Sequence, residues 1–190
     1  KGTFRLFRVV WNLLCGFPLM VPSFLYQGVH NDHHNIKLYG TRGDGEYFPF
    51  VDKGRSKIIL FALASFFVPA FFFVRFVLLT PLSYCNKSVR SLVLEKISSF
   101  SIDPNYKRTR SSLNAVDMWQ VQEIATCLYG WIFILLILVG VLPYKILGLW
   151  LITFGGVFFI NSLRTLAAHC YRYSGEEVLD ISEQLLDSVN

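Results

Sequence analysis

Hydrophobic positions in this chain come in long blocks divided by polar stretches. Ile58–Leu82 is apolar for 25 residues except for one charge, Arg75, and has one mid-segment proline, Pro69. Ala125–Leu142 and Ile146–Leu163 are each 18 residues long. As helices they span about 27 Å, close to the hydrocarbon thickness of a bilayer. Pro143-Tyr144-Lys145 between them predicts a tight transmembrane hairpin, with Trp131, Tyr144 and Trp150 near the interfaces. Val9–Tyr26 is also apolar but carries Gly16, Pro18 and Pro22. Two closely spaced prolines break a regular helix, so this segment is read as interfacial or re-entrant.

The polar stretches read differently. Tyr39–Glu46 has the Gly/Asp chemistry of a loop. Tyr84–Thr126 carries Lys87, Arg90, Lys96, Lys107, Arg108 and Arg110, too many charges to lie in lipid. Ser174-Gly175-Glu176-Glu177 has the form of a capping box opening a short helix, with Val178, Ile181, Leu185 and Val189 as a weak apolar stripe. Five carboxylates follow Gly175 with no basic residue among them, either a docking surface or, the reading we favour, a solvated face.

Composition strengthens the membrane reading. Of the 190 residues 53% are hydrophobic and only 16% charged, against about 25% in ordinary soluble domains. The expected fold is all-α and integral to the membrane: a transmembrane helical hairpin, a re-entrant or second hairpin from Ile58–Leu82, and a cytosolic cap. The net charge of +5 is scattered around apolar spans, which suits an anionic membrane face and argues against nucleic acid. Cys15, Cys85, Cys127 and Cys170 have no paired spacing and read as reduced thiols. With no initiator Met and no signal-peptide pattern, residues 1–190 are expected to be one domain cut from a longer protein.

Three of the four histidines fall in Val29-His30-Asn31-Asp32-His33-His34. On a helix, His33 and His34 stand at i+3 and i+4 from His30, so the imidazoles share a face and Asp32 points away. Such a nitrogen-rich set suits iron, copper, nickel or zinc. The competing reading is a polar, His-rich surface turn. Asp32 is placed as an outer partner or surface group; Asp44 and Glu46 either hydrogen-bond a ligand histidine or are solvated loop carboxylates. Asn161, Thr165 and His169 follow at i, i+4 and i+8 on one face of an emerging helix. His169 alone is a weak signal; its claim rests on the other three. A shared site needs an even number of crossings between the two groups, so Ile58–Leu82 must contribute none or two. Basic residues then gather on one side with only Lys145 opposite, as the positive-inside rule favours.

Tyr26-Gln27-Gly28-Val29-His30-Asn31-Asp32-His33-His34, Tyr39-Gly40-Thr41, Gly43-Asp44-Gly45-Glu46-Tyr47 and Arg164–Tyr171 resemble the membrane fatty acid desaturase family, in particular a bacterial branch. The resemblance covers essentially the whole chain. It implies a centre of two iron ions on the cytosolic face of a bacterial inner membrane, with His30, His33 and His34 as a second histidine box and His169 as an additional ligand. An Asn that approaches iron through water in the animal acyl-CoA desaturases stands four residues before that last His. Here Thr165 has that offset, with Asn161 one turn further back. No histidine precedes His30 or follows His169, so first and third boxes are lacking and the chain alone is expected to be inactive. The implied activity is oxygen-dependent desaturation of a fatty acyl lipid, with dioxygen and an electron donor such as ferredoxin or a b-type cytochrome. The alternatives are a lipid or carotenoid hydroxylase or ketolase of the same superfamily, and a non-redox metal-binding membrane protein. Some of the 18 Phe residues would line an acyl channel; Phe66, Phe67 and Phe71–Phe73 read as ordinary packing.

Overall fold

The computed structural model describes every residue except Lys1, Phe48, Pro49, Asp52, Gly175, Glu177 and Asn190, and excepting the side chains of residues 2–4. Among these the chain is helical, with a single isolated antiparallel bridge between His169 and Ser188. Among the described residues, three helical stretches are long and apolar enough to cross a membrane: Val68–Cys85, Trp119–Leu138 and Lys145–Ala168.

The expected hairpin is formed by α8 (Trp119–Leu138) and α9 (Lys145–Ala168), with different bounds from those read in the sequence. Helix α8 starts at Trp119 rather than Ala125 because its first turns find interior partners for their polar groups. Glu123, fully buried, accepts from Arg75 Nη2 at 2.7 Å, Arg90 Nη1 at 2.8 Å and Tyr84 Oη at 3.1 Å. Further along, Leu128, Ile132, Leu135 and Leu138 of α8 and Leu149, Ile152 and Ile160 of α9 are exposed, as lipid-facing side chains should be.

Ile58–Leu82 is broken, as Pro69 suggested. It comprises α3 (Arg55–Ser65), a turn at Phe66 and Phe67, α4 (Val68–Val74) with Pro69 in its first turn, a π-turn at Arg75–Leu79, and α5 (Thr80–Cys85). Helices α3 and α4 pack on α9, whereas the π-turn and α5 pack on α8, so the broken segment is wedged between the hairpin arms. Helix α3 runs antiparallel to α9: Ser65 Oγ meets Ser162 Oγ at 2.9 Å, and deeper down the Phe66 carbonyl abuts Gly155. The return places Val77 against Gly130 and Tyr84 beside Glu123 in the second turn of α8. Both ends of the segment therefore lie at the histidine-bearing end of the bundle.

The polar stretch after α5 is more ordered than a charged loop. It folds as α6 (Lys87–Lys96), capped by the Asn86 side chain, then a connector, then α7 (Arg110–Asn114). The connector closes over the chain leading to the histidines, through Phe100 N–H to Leu25 O and Ile102 N–H to Gly45 O, at 2.8 and 2.7 Å. Arg108, 1% exposed, donates to the carbonyls of Phe24 and Ser98, both at 2.8 Å, and to that of Gln27. Before them, α1 (Gly2–Trp11) and a π-turn (Asn12–Gly16) precede the break that Gly16, Pro18 and Pro22 predicted.

The C-terminal helix also departs from expectation. Gly175 and Glu177 of the expected capping box lie outside the described residues. Helix α10 spans Ile181–Asp187, and its reciprocal capping pair is Asp180 with Glu183. The acidic run is not wholly solvated: Asp187 is completely buried.

Candidate metal centre

Gly28, at φ +90°, turns the chain sharply into the short helix α2 (Val29–His33). The helix stands His30 and His34 one turn apart, with Nε2 atoms separated by 3.2 Å. His33 faces inward and its ring centre lies 5.2 Å from that of His169, edge to face. His169 reaches the site by a route the helical spacing did not foresee. Helix α9 ends at Ala168, and His169 is extended. That geometry is imposed by pairing with the last residue of α10 and the segment after it, through Cys170 N–H to Asp187 O at 2.7 Å and Val189 N–H to Ala168 O at 2.9 Å.

Three of the four imidazoles are held at Nδ1. His33 donates to Asp44 Oδ2 at 2.8 Å. His30 Nδ1 lies 3.0 Å from Glu46 Oε2 and 2.8 Å from Tyr26 Oη. His169 Nδ1 lies 2.9 Å from Tyr39 Oη, which in turn donates to Asp187 Oδ2 at 3.1 Å. Asp44, fully buried, also accepts from the N–H groups of Gly40 and Glu46, and so shapes the loop that carries both carboxylates. The loop can press this close to α2 because residue 45 is glycine. A Cβ there would sit 2.8 Å from Val29 Cγ1 and 3.0 Å from the Tyr106 ring. Asp32 makes none of these contacts; burial raises its pKa, with Arg108 opposing and Asp44 adding to the shift.

Electrostatics separate the two inner histidines. Burial, the largest influence on His33, pulls its pKa down; the Asp44 hydrogen bond and the charges of Asp44 and Glu46 outweigh it, and the net shift is upward. His169 is lowered by burial and then by neighbouring His33, with Asp187 and Asp44 offsetting only part. Burial, with the nearby Asp187 charge, pushes Tyr39 up to about 12.

The histidines open into a cavity of about 590 Å³. It is lined by the imidazoles, Tyr26 and Glu46, by the apolar side chains of Phe61, Val68, Phe100 and Phe158, and by the hydrogen-bonded pair Ser65 and Ser162. Asn161, Ser162 and Thr165 line it alongside the histidines without bonding to them. Asn161 Oδ1 accepts from Arg164 and Thr165 Oγ1 donates to the Asn161 carbonyl. Sequence reasoning missed Tyr26, Tyr39 and Asp187. The two tyrosines stood inside the quoted motifs, whereas Asp187 had no local signal.

The donors fit a transition metal in kind: imidazoles anchored at Nδ1 leave Nε2 lone pairs for coordination. A separation of 3.2 Å between two Nε2 atoms is what two bonds of about 2.1 Å span at roughly 100°. Glu46 Oε1 adds a buried acceptor with no hydrogen-bond partner in the same cavity wall. Among the described residues, no group of three or more His, Cys, Asp or Glu side chains closes into a metal-binding cluster, so these donors could supply only part of a complete shell.

Comparison with known proteins identifies the family. Residues 1–188 match the fatty acid desaturase family, and the chain belongs to it. The ceramide hydroxylase of Caulobacter vibrioides (strain NA1000 / CB15N) is 37% identical over 185 residues, covering 97% of this chain and 52% of that protein. The chain thus spans about half the length of that curated relative. No solved structure matches it. This member of the fatty acid desaturase family carries, among its described residues, three helical stretches long and apolar enough to cross a membrane.

Proposed function

We propose that the whole protein is an oxygen-dependent lipid oxidase, in which His30, His33, His34 and His169 help to hold two irons beside a lipid chain in the cavity. The observation that carries this reading is the convergence of four imidazoles, three of them held at Nδ1, on one cavity that Phe61, Val68, Phe100 and Phe158 also line. Iron, when bound, supplies the activation of dioxygen needed to attack an unactivated C–H bond, which no side chain can do. The remaining ligands come from sequence outside these 190 residues, and the histidines face the cytoplasm of a bacterial inner membrane. The placing of both ends of the broken segment at the histidine-bearing end, together with the basic residues Arg55, Lys57, Lys87 and Arg90 there, supports that orientation.

The chain's own residues have defined tasks. Asp44 and Glu46 hold the Nδ1 atoms of His33 and His30 and turn Nε2 toward the cavity. Phe61, Val68, Phe100 and Phe158 exclude water and receive methylenes. Asn161 and Thr165 give the wall polar atoms near the reacting end. Dioxygen is the co-substrate, and ferredoxin or a b-type cytochrome is the class of electron donor.

Hydroxylation is the outcome we favour, because a ceramide hydroxylase is 37% identical to this chain over 97% of its length. Desaturation of a fatty acyl lipid is the second reading, supported by the family match. Lipids from cells expressing the full-length protein under labelled dioxygen separate them by mass spectrometry. Hydroxylation adds one labelled oxygen atom, whereas desaturation removes two hydrogens and adds none. Lipids unchanged relative to a His33→Ala control would overturn both.

A further inference from the structure

We propose that Asp187 fixes the tautomer of His169 through Tyr39, making helix α10 part of the apparatus that aims this imidazole. The inference rests on the reading of His169 as a metal ligand and adds a positioning residue to it.

The argument is one of proton counting. Tyr39 Oη has one proton and two close neighbours, His169 Nδ1 at 2.9 Å and Asp187 Oδ2 at 3.1 Å. As a carboxylate, Asp187 can only accept. Ser188 Oγ, 3.4 Å from the phenol, directs its own proton to the Gln184 carbonyl at 3.0 Å. Tyr39 therefore donates to Asp187 and must accept from His169, which places the imidazole proton on Nδ1. Nε2 is left with its lone pair facing the cavity. Asp187 cannot do this directly, because its own distance to His169 Nδ1 is 3.9 Å, beyond a hydrogen bond.

The carboxylate is held on both oxygens, Oδ2 accepting from Tyr39 Oη at 3.1 Å and Oδ1 from Arg172 N–H at 2.9 Å, while the backbone carbonyl of Asp187 accepts from Cys170 N–H at 2.7 Å. With Asp187 fully buried, no water replaces it as acceptor. Each inner histidine thus has its own carboxylate, direct for His33 and one phenol removed for His169.

Substitution by Asn reverses the chain of donors. If the amide oxygen stays with Arg172 N–H, its NH2 group faces Tyr39, which must accept and turn its proton onto His169 Nδ1. The imidazole then carries its own proton on Nε2 and cannot coordinate through it. Tyr39→Phe instead removes the competing donor and leaves His169 free to choose. The double variant Tyr39→Phe/Asp187→Asn should therefore bind metal better than Asp187→Asn alone, an outcome that simple loss of packing does not give.

The test uses full-length protein in detergent, titrated with cobalt(II) against a chromophoric chelator while the visible spectrum is followed. Asp187→Asn is expected to weaken cobalt binding about 10- to 100-fold, the usual effect of losing an outer partner of a ligand histidine. Tyr39→Phe, which frees the tautomer without inverting it, should lose less than Asp187→Asn, and the double variant should recover toward Tyr39→Phe. Unchanged affinity in Asp187→Asn, or a double variant no better than Asp187→Asn, overturns the proposal. If Asp187→Asn does not fold, Tyr39→Phe decides alone: a loss as deep as that of His169→Ala overturns it. Unsubstituted protein that takes up no cobalt overturns the proposed function and this inference with it, whereas binding insensitive to Asp187 overturns only the inference.

Discussion

Asp44 is where the geometry of the site and the stability of the fold can be separated most cleanly. It is fully buried and accepts from His33 Nδ1 at 2.8 Å, Gly40 N–H at 3.0 Å and Glu46 N–H at 2.9 Å. Asp44→Ala strands the two backbone donors and the imidazole together. At about 1–3 kcal/mol for each buried unsatisfied group, and with partial relaxation, the loss should be about 2–5 kcal/mol. For a chain of this size that lowers the unfolding midpoint by roughly 5–15 °C. Asp44→Asn keeps one oxygen and should lose about half as much.

The pH dependence gives an independent sign. In the metal-free protein the pKa of His33 is raised above 6.5, so its contribution to stability is full below 6.5 and lost as pH rises through the folded value. Asp44→Asn removes the main raising influence and leaves burial, which lowers the pKa. The contribution then reverses: present above 6.5 and lost as pH falls. The stability gap between the two proteins should therefore narrow as pH rises through the folded pKa of His33. Thermal unfolding in detergent at a series of pH values measures it. A gap that is constant or widens with pH would refute the Asp44–His33 coupling, as would an unfolding midpoint in Asp44→Ala equal to that of the unsubstituted protein.

Other expectations concern the frame that carries the site. Glu123→Ala leaves the fully buried Arg75 without its carboxylate and should destabilise by about 3–5 kcal/mol, read by fluorescence-detected size exclusion after heating. Replacing Arg75 and Glu123 together by apolar residues should recover much of that loss, and a double variant no better than the single one would contradict the pairing. Gly155→Ala puts a Cβ 2.7 Å from the Phe66 carbonyl and should cost about 1–3 kcal/mol by forcing α3 off α9. Gly156→Ala, whose Cβ meets nothing within 4 Å, is the matched control and should be neutral or slightly stabilising in the same assay.

What could be read in advance was what depends on local spacing. His30, His33 and His34 share a face because three and four residues make about one helical turn, and Pro69 marked the break in the apolar segment. What could not be read depends on chain regions meeting in space. Asp187 sits in an acidic run and gives no local sign that three tyrosines and His169 surround it. Glu123 was counted with a charged loop, although the lone Arg75 in an apolar block was itself a demand for a buried partner. His169 was placed on a helical face, and pairing with the last residue of α10 and the segment after it drew it into an extended conformation instead. The identities of Asp44 and Glu46 were noted, but their roles follow from burial, which the glycine between them permits.

The most direct test of the central claim is iron content together with lipid product, measured on the full-length protein beside a variant with His30, His33 and His34 changed to Ala. The account expects two irons per chain and an oxygen-dependent lipid product, with both lost in the variant. Folded, iron-supplied protein that binds only zinc, or that holds iron equally without those histidines, would contradict it.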